Sequence, residues 1–481
     1  PLQYWATAAS FKIFGEDEWT ARLWSGLTGF LGVLLAGFTA RRLFGPGVGL
    51  AAAAIQASCF LYFGIAHINT LDMGLTFFLQ AMLSAFLLAQ AATPGSRAER
   101  NAMLAAWAAA ACAVLSKGLV SLVLPGATLV AYSLLTRDFS PWRRLHALPG
   151  LALFLAIAAP WHIAASIANP EFARFYFIHE HFERFLTKVH GRYQPWWYFI
   201  PILALGALPW TGMMLAAAGR ALRGGTGAAL APRFLLLWSV ITFVFFSASS
   251  SKLPSYVLPI LPALSLLAAL WLRETGARAL MWHILPINLL AAAALIALPA
   301  ITRYADAETP HAMIEAYGHW LWVSALLWLL GSLAALALAW RQCRQGAMLA
   351  LAAGAFLAWI GVVQGHEKLG RSNSSHHIAM QIKDQVSPDA PFYSVRTYEQ
   401  TLPFYLKRTL TLVQFQDEMA FGLKQEPALW VPTVEAFMEK WRAHPVAWAV
   451  MDPGTFEELR QAGLPMHIAA RDTRRVIVRT P

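Results

Sequence analysis

Lone lysines interrupt long apolar stretches at two places in the sequence. Lys117 stands in Ser116-Lys117-Gly118 between two hydrophobic runs, and Lys252 lies in a polar segment, residues 249–256, that also contains four serines. An ammonium and several hydroxyls at one depth suit the binding of an anion such as a phosphate. Lys117 has a second interpretation, a lysine whose long side chain reaches from a helix end to the membrane surface.

Asp72 is the clearest acidic candidate for chemistry. It ends a tight turn between two apolar runs, and transfer of a group to a hydroxyl usually needs a carboxylate that accepts or orients a proton. Its alternative role is the N-cap of the following helix. Tyr256 and Tyr4 are candidate hydrogen-bond donors to a substrate, or else aromatic residues of the membrane interface.

The segment 169–195 combines charged residues and histidines with many aromatic residues. This composition predicts a helix that lies along the membrane surface, with its aromatic residues toward the acyl chains. Arg184 and His181 would then face headgroups or substrate, and Glu180 is a second candidate carboxylate. The segment lacks the His-Glu-x-x-His arrangement of zinc enzymes, so no metal site is predicted. A divalent metal is compatible with these side chains, but no ligand pattern supports one.

The overall composition indicates a membrane protein with many spans. Of 481 residues, 58% are hydrophobic and 13% are charged, about half the charged fraction of a soluble protein. The net charge of +11 fits cytoplasmic loops beside anionic lipids, and no nucleic-acid partner is predicted. Because no phosphate-binding glycine loop or dinucleotide fingerprint is present, a soluble nucleotide donor has no visible site and no cofactor is required.

About twelve stretches approach the roughly 20 apolar residues that cross a bilayer. The predicted spans are 23–40, 48–65, 72–91, 102–115, 118–135, 148–168, 197–218, 233–248, 254–272, 281–300, 319–340 and 346–364.

Positive charge in the alternate loops predicts the orientation. All six loops that follow odd-numbered spans carry arginines, which marks them as cytoplasmic. Residues 1–22, the loop 169–196 and the segment after 365 then face outward. The arginines concerned are Arg41, Arg42, Arg97, Arg100, Arg137, Arg143, Arg144, Arg220, Arg223, Arg233, Arg273, Arg278, Arg341 and Arg344.

The composition changes near residue 366 and predicts a second domain. Charged and turn residues become frequent, and short β-rich runs alternate with helical patterns. The predicted division is a transmembrane domain, 1–365, followed by a small soluble α/β domain, 366–481. Its predicted strands are 391–395, 410–414, 446–451 and 475–479, and its predicted helices are 398–406, 434–443 and 455–462.

Several motifs together resemble the bacterial aminoarabinose (4-amino-4-deoxy-L-arabinose) lipid A transferases. These enzymes belong with the protein-mannosyltransferase-like, lipid-donor glycosyltransferases of the C superfamily. The motifs are Pro1-Leu2-Gln3-Tyr4-Trp5, Phe11-Lys12-Ile13-Phe14-Gly15, Leu71-Asp72-Met73, Ser116-Lys117-Gly118, His181-Phe182-Glu183-Arg184-Phe185 and Ser251-Lys252-Leu253-Pro254-Ser255-Tyr256.

The resemblance implies an enzyme of the bacterial inner membrane that passes a sugar from undecaprenyl phosphate to lipid A or another periplasmic acceptor, with inversion at the anomeric carbon. Arg184 matches the residue that holds the carrier phosphate, with Lys252 and Lys117 as its neighbours. The family's principal catalytic carboxylate and a phosphate-binding lysine would lie upstream of Pro1. The expectation is therefore a piece of a longer enzyme that lacks the first helix and is inactive alone.

Three other functions remain open at this stage. A related enzyme would use a polyprenyl-phosphate sugar to modify a protein or another glycan. A transporter or lipid flippase would also have many spans, although its charges usually lie near mid-membrane and its halves are usually related. A structural scaffold would not need the charged, aromatic loop at 169–196.

Overall fold

The computed structural model describes residues 1–183, 193–223 and 230–481, without the side chains of 179–183 and Glu418. The chain forms two compact units. The first contains Pro1–Ala293 with Ser324–Ile360, and the second contains Ala294–Val323 with Gly361–Pro481. The predicted division at residues 365 and 366 stays a prediction.

The amino-terminal helices run to residue 168 and are mostly long and apolar. In chain order they are Leu2–Phe14, Glu18–Phe44, Pro46–Ser58, Phe60–Ala66, Leu71–Ala91, Arg97–Lys117, Val120–Thr136, Ser140–Arg143 and Ala147–Ala168.

A π-helix, Arg174–Glu183, follows where a surface helix was predicted. Beyond the gap at 184–192 the described helices continue to residue 366. They are Phe199–Gly206, Thr211–Arg223, Leu230–Ala248, the 3-10 turn Pro254–Val257, Ile260–Glu274, Ala277–Ala297, the 3-10 segment Leu298–Tyr304, His311–Trp340 and Arg344–His366.

Every predicted span coincides with a helix or with a bent pair of helices. Within the described residues, seven helices are long and apolar enough to cross a membrane, and two bent pairs raise the number to as many as nine. The three helices Arg97–Lys117, Val120–Thr136 and Ile260–Glu274 are shorter or less apolar. The polytopic helical architecture is confirmed, and the number of about twelve spans stays a prediction.

Buried glutamines join helices of the first unit. Gln56 Nε2 donates to Gln80 Oε1 at 3.0 Å, and Gln80 Nε2 donates to the Gly32 carbonyl at 2.8 Å. A Cβ at Gly32 would lie 2.1 Å from the Tyr62 hydroxyl, so only glycine fits there. Because buried polar groups must be paired, these bonds fix the position of helix Leu71–Ala91, which carries Asp72.

The second unit contains a six-stranded sheet of order β3-β2-β1-β4-β6-β5. Strands β3, β2, β1 and β4 are parallel, whereas β6 is antiparallel to both of its neighbours. The strands are β1 Phe392–Val395, β2 Thr411–Val413, β3 Trp430–Val431, β4 Trp448–Met451, β5 His467–Arg471 and β6 Val476–Arg479.

Short helices surround this sheet, and its central strands are fully buried. Apolar side chains fill a core on each face. The helices are Gly370–Asn373, His376–Ile382, Leu402–Leu406, Ala420–Gln425, Val434–Ala443 and Pro453–Gln461, with 3-10 turns at Glu367–Leu369, Asp417–Met419 and Pro427–Leu429.

The predicted strands correspond to β1, β2, β4 and β6, and the α/β class is confirmed. Two strands were missed, for different reasons. β3 has only two residues, which is too short for a pattern, and β5 is an edge strand in which only Ala470 is buried. Asp452 caps the helix Pro453–Gln461, because its carboxylate accepts from the backbone N–H groups of Gly454 and Thr455.

Candidate functional site

Asp72 and Lys117 form an ion pair in the first unit. The second oxygen of the Asp72 carboxylate accepts a hydrogen bond from the Ser255 hydroxyl at 2.6 Å. The Lys117 ammonium also lies 4.4 Å from the centroid of the Tyr256 ring, within the range of a cation–π contact. Three distant segments of the chain therefore meet at one carboxylate. We call these four residues the Asp72 cluster.

Burial within the Asp72 cluster is uneven. The Asp72 side chain is 9% exposed, whereas the Lys117 side chain is 26% exposed. Tyr256 is buried and packs against Phe246, with ring centroids 5.2 Å apart. The cation is thus the more accessible partner of the pair, and it offers more exposed surface to an anion than the carboxylate does.

Helix ends bring these residues together. Helices Leu71–Ala91 and Arg97–Lys117 are joined by a short connection, so the start of the first lies beside the end of the second. Gly118 ends the second helix at φ 92°, a conformation that glycine adopts without a Cβ clash. The N-cap of helix Leu71–Ala91 is Thr70, so Asp72 is not the cap.

Ser255 and Tyr256 lie in the 3-10 turn Pro254–Val257, within the polar segment predicted to bind an anion. Lys252 of the same segment is 4% exposed. Its ammonium donates to the backbone carbonyls of Gln194, at 2.9 Å, and Ser249. These bonds use two of its three donors, and burial lowers the pKa of Lys252. Its predicted role toward the carrier phosphate stays a prediction.

The start of the chain lies close to the turn that precedes Asp72. Gln3 Nε2 donates to Asn69 Oδ1 at 2.8 Å. Tyr4 follows on the same helix, but its side chain is 69% exposed, and no described contact joins it to the Asp72 cluster. Its role as a donor to substrate stays a prediction.

The side chains of three predicted site residues lie outside the described part of the chain. Arg184 lies outside the described residues, and Glu180 and His181 belong to the π-helix without described side chains. Their predicted roles therefore stay predictions. In the described part of the chain, no group of three or more His, Cys, Asp or Glu side chains is arranged to hold a metal ion.

Sequence reasoning missed two contributors to this region. Ser255 was seen as part of a polar segment but was not assigned a partner, since the bond to Asp72 spans 183 positions. Gln3 was quoted only as part of a motif. The available signal was a hydroxyl or amide at the end of an apolar run, and that signal does not identify the partner.

Two family models match separate parts of the chain. Residues 1–163 match the model of dolichyl-phosphate-mannose-protein mannosyltransferases. Residues 378–480 match the model of the aminoarabinose transferase C-terminal domain. The first match includes Asp72 and Lys117, and the second covers the six-stranded sheet.

Curated relatives share about a third of their residues with the chain over the matched stretch. The undecaprenyl phosphate-alpha-4-amino-4-deoxy-L-arabinose arabinosyl transferase of Pseudomonas aeruginosa is 35% identical over 271 residues, which cover 55% of this chain and 48% of that relative. The transferase 1 of the same name from Pseudomonas fluorescens is 31% identical over 302 residues, 61% of this chain and 52% of that relative. The chain spans about half the length of the curated relatives it matches.

Solved structures match over the whole chain. The crystal structure of ArnT from Cupriavidus metallidurans bound to undecaprenyl phosphate is 36% identical, with a TM-score of 0.94, and the match covers 100% of this chain and 87% of that one. The apo structure of the same protein matches with a TM-score of 0.90. The identity and the coverage agree with the predicted resemblance, and the chain belongs to the ArnT family of aminoarabinose transferases.

Proposed function

We propose that the protein is an integral-membrane glycosyltransferase that moves 4-amino-4-deoxy-L-arabinose from undecaprenyl phosphate to lipid A. The observation that carries this proposal is the match of this whole chain to 87% of ArnT bound to undecaprenyl phosphate, at 36% identity. The names of the curated relatives support the same sugar and carrier. The lipid A acceptor rests on the family resemblance.

The proposed reaction is a displacement at the anomeric carbon. An oxygen of the acceptor forms the new bond to that carbon, and the bond to the carrier phosphate breaks with its electron pair on the phosphate oxygen. Charge therefore develops on the departing phosphate. A positioned cation that meets this charge in a water-poor site lowers the barrier.

Within this proposal Lys117 supplies such a cation. The Lys117 ammonium is more exposed than its carboxylate partner, so it can contact the phosphate. Asp72, which accepts the hydrogen bond from Ser255, holds the ammonium in place. Asp72 then acts as a positioning residue through Lys117. Arg184 is proposed as the principal phosphate ligand, because it lies in the motif shared with the family.

The proposed location is the bacterial inner membrane, with the Asp72 cluster and the carboxy-terminal domain on the periplasmic side. The support is the concentration of arginines in the alternate loops, which the positive-inside bias assigns to the cytoplasm. Lipid A and the carrier-linked sugar would then meet the site from the outer leaflet.

Mass spectrometry of lipid A from cells with and without the complete gene tests the function. The proposal predicts an aminoarabinose-sized increment that requires the gene and is lost in the Lys117→Met variant. Unmodified lipid A together with a gene-dependent glycan on a protein or another saccharide would reject lipid A as the acceptor. An increment that persists without the gene would reject the proposed function.

A further inference from the structure

A cavity of about 390 Å³ lies between helix Thr211–Arg223 and helix Ile260–Glu274 of the first unit. It is lined by Leu215, Ala216, Gly219, Arg220, Arg223 and Trp271. None of these residues belongs to the Asp72 cluster, and the proposed transfer reaction does not use them.

The cavity and the Asp72 cluster lie toward opposite ends of helix Ile260–Glu274. Helix Ile260–Glu274 begins just after Ser255 and Tyr256 and has 15 residues, so it is about 22 Å long. Trp271 lies in its last turn. On the proposed orientation, the cavity opens toward the cytoplasmic leaflet.

The charge of the cavity favours an anion. Arg220 pairs with Glu274 at 2.7 Å and remains 58% exposed on its side chain. In the described part of the chain, no carboxylate pairs with Arg223. Since the two arginines are three positions apart, they share one helix face. Two guanidinium groups against one carboxylate leave a net positive charge at the rim, which suits a phosphate with several acceptor oxygens.

The surroundings of the cavity are apolar. Leu215 and Leu222 lie seven positions apart on the same helix and are 69% and 72% exposed. An exposed leucine strip that ends in arginines matches an acyl chain that ends in a charged headgroup. Gly219 leaves space beneath the arginines, because a Cβ built there meets no heavy atom within 4 Å.

We propose that this cavity binds the phosphate headgroup of an anionic phospholipid from the leaflet opposite the Asp72 cluster. Arg220 and Arg223 hold the phosphate, the Trp271 indole forms the wall, and the acyl chains follow Leu215 and Leu222. The positive-inside bias accounts for arginines at this membrane face. It does not account for an open cavity beneath them, and basic pockets between membrane helices are known to bind anionic headgroups.

Native mass spectrometry of the complete gene product tests the proposal, with phosphatidylglycerol and phosphatidylcholine titrated into the detergent. The unaltered protein should retain phosphatidylglycerol in preference to phosphatidylcholine. Each arginine at an anionic surface strengthens binding roughly fivefold, so Arg220→Gln with Arg223→Gln should weaken phosphatidylglycerol binding about 25-fold. Gly219→Leu fills the cavity without removing charge and should abolish the preference by itself.

Matched control variants separate the cavity from general effects. Arg97 and Arg100 are also exposed and three positions apart at a helix end, so their double glutamine variant should keep the preference. Gly126 is another helical glycine with open space around it, and Gly126→Leu should bind normally.

Equal retention of phosphatidylglycerol by the unaltered protein and Gly219→Leu would overturn the proposal. Equal loss in the Arg97 and Arg100 control would overturn it as well, because the effect would then follow net charge. If inorganic phosphate displaced phosphatidylglycerol at an equal concentration, the cavity would be a simple anion site. That result would reject a phospholipid as its ligand. None of these outcomes depends on transfer of a sugar.

Discussion

The ion pair between Asp72 and Lys117 can be measured directly, because each partner has a nearly isosteric neutral substitute. Asp72→Asn keeps the hydrogen bond from Ser255 but leaves the Lys117 ammonium without its counter-charge. Breaking a fully buried pair costs about 3–5 kcal/mol. The Lys117 side chain is 26% exposed, and solvent reduces the penalty, so we expect a loss of about 2–3 kcal/mol in the free energy of unfolding.

A double-mutant cycle isolates the pair from other effects of each substitution. Lys117→Met should cost a similar amount, because it leaves the Asp72 carboxylate without its cation. The double variant should lose no more than either single variant, because one substitution already breaks the pair, and this gives a coupling energy of about 2–3 kcal/mol. The measurement is reversible unfolding of the complete gene product in mixed micelles, followed by circular dichroism.

Exposed neighbours provide the control for this cycle. Lys383 and Asp384 lie on the surface without an ion pair between them in the described structure, so the same substitutions there should show no coupling. A coupling energy below about 0.5 kcal/mol at Asp72 and Lys117 would refute the reasoning, since the two groups would then be independent.

Three further predictions concern other parts of the chain. Arg184→Ala should abolish sugar transfer while membrane insertion stays intact, as measured by lipid A mass spectrometry and membrane fractionation. Arg475→Met should lower the stability of the sheet by about 3–5 kcal/mol, because Arg475 is buried and pairs with Glu399 at 2.7 Å; hydrogen exchange of residues 392–479 measures this change. Burial raises the pKa of Asp452, but hydrogen bonds from Thr455 and nearby backbone N–H groups outweigh burial and hold this pKa below its ordinary value. The resulting stability is present above the ordinary aspartate pKa and is lost as the pH falls below about 4, and Asp452→Asn should remove this dependence from unfolding measured across pH.

Each of these predictions has a contrary result. Retained transfer in Arg184→Ala would remove that residue from the phosphate site. Arg460→Met is the control for Arg475, because Arg460 forms an exposed pair with Glu457 and should change stability by less than about 1 kcal/mol. A similar loss of protection in both variants would contradict the buried-pair argument. An unchanged pH profile in Asp452→Asn would show that the capping carboxylate contributes nothing to acid sensitivity.

The helical architecture was predictable because hydrophobic length is a local property. Each predicted span coincides with a helix or a bent helix pair. The bends were not predictable, since a break such as the 67° angle between Pro46–Ser58 and Phe60–Ala66 leaves no gap in hydropathy. The sheet was predictable for its central strands, whose buried runs differ from their surroundings, but not for the edge strand β5.

The site was predictable by residue type and only partly by partner. Lys117 and Asp72 stand out because a charge between apolar runs needs a reason. Their pairing depends on two antiparallel helices that align at one end, and the bond to Ser255 depends on a third segment far along the sequence. Lys252 was also predicted from its charge between apolar runs. The sequence does not show that its ammonium donates to two backbone carbonyls.

The most direct test of the central claim is transfer by the purified complete gene product in lipid nanodiscs. The substrates are undecaprenyl-phosphate-linked 4-amino-4-deoxy-L-arabinose and lipid A, and mass spectrometry follows both products. Aminoarabinose-modified lipid A and free undecaprenyl phosphate should form in equal amounts, and both should be lost in Lys117→Met. Intact donor, or a donor consumed while lipid A stays unmodified, would contradict the account.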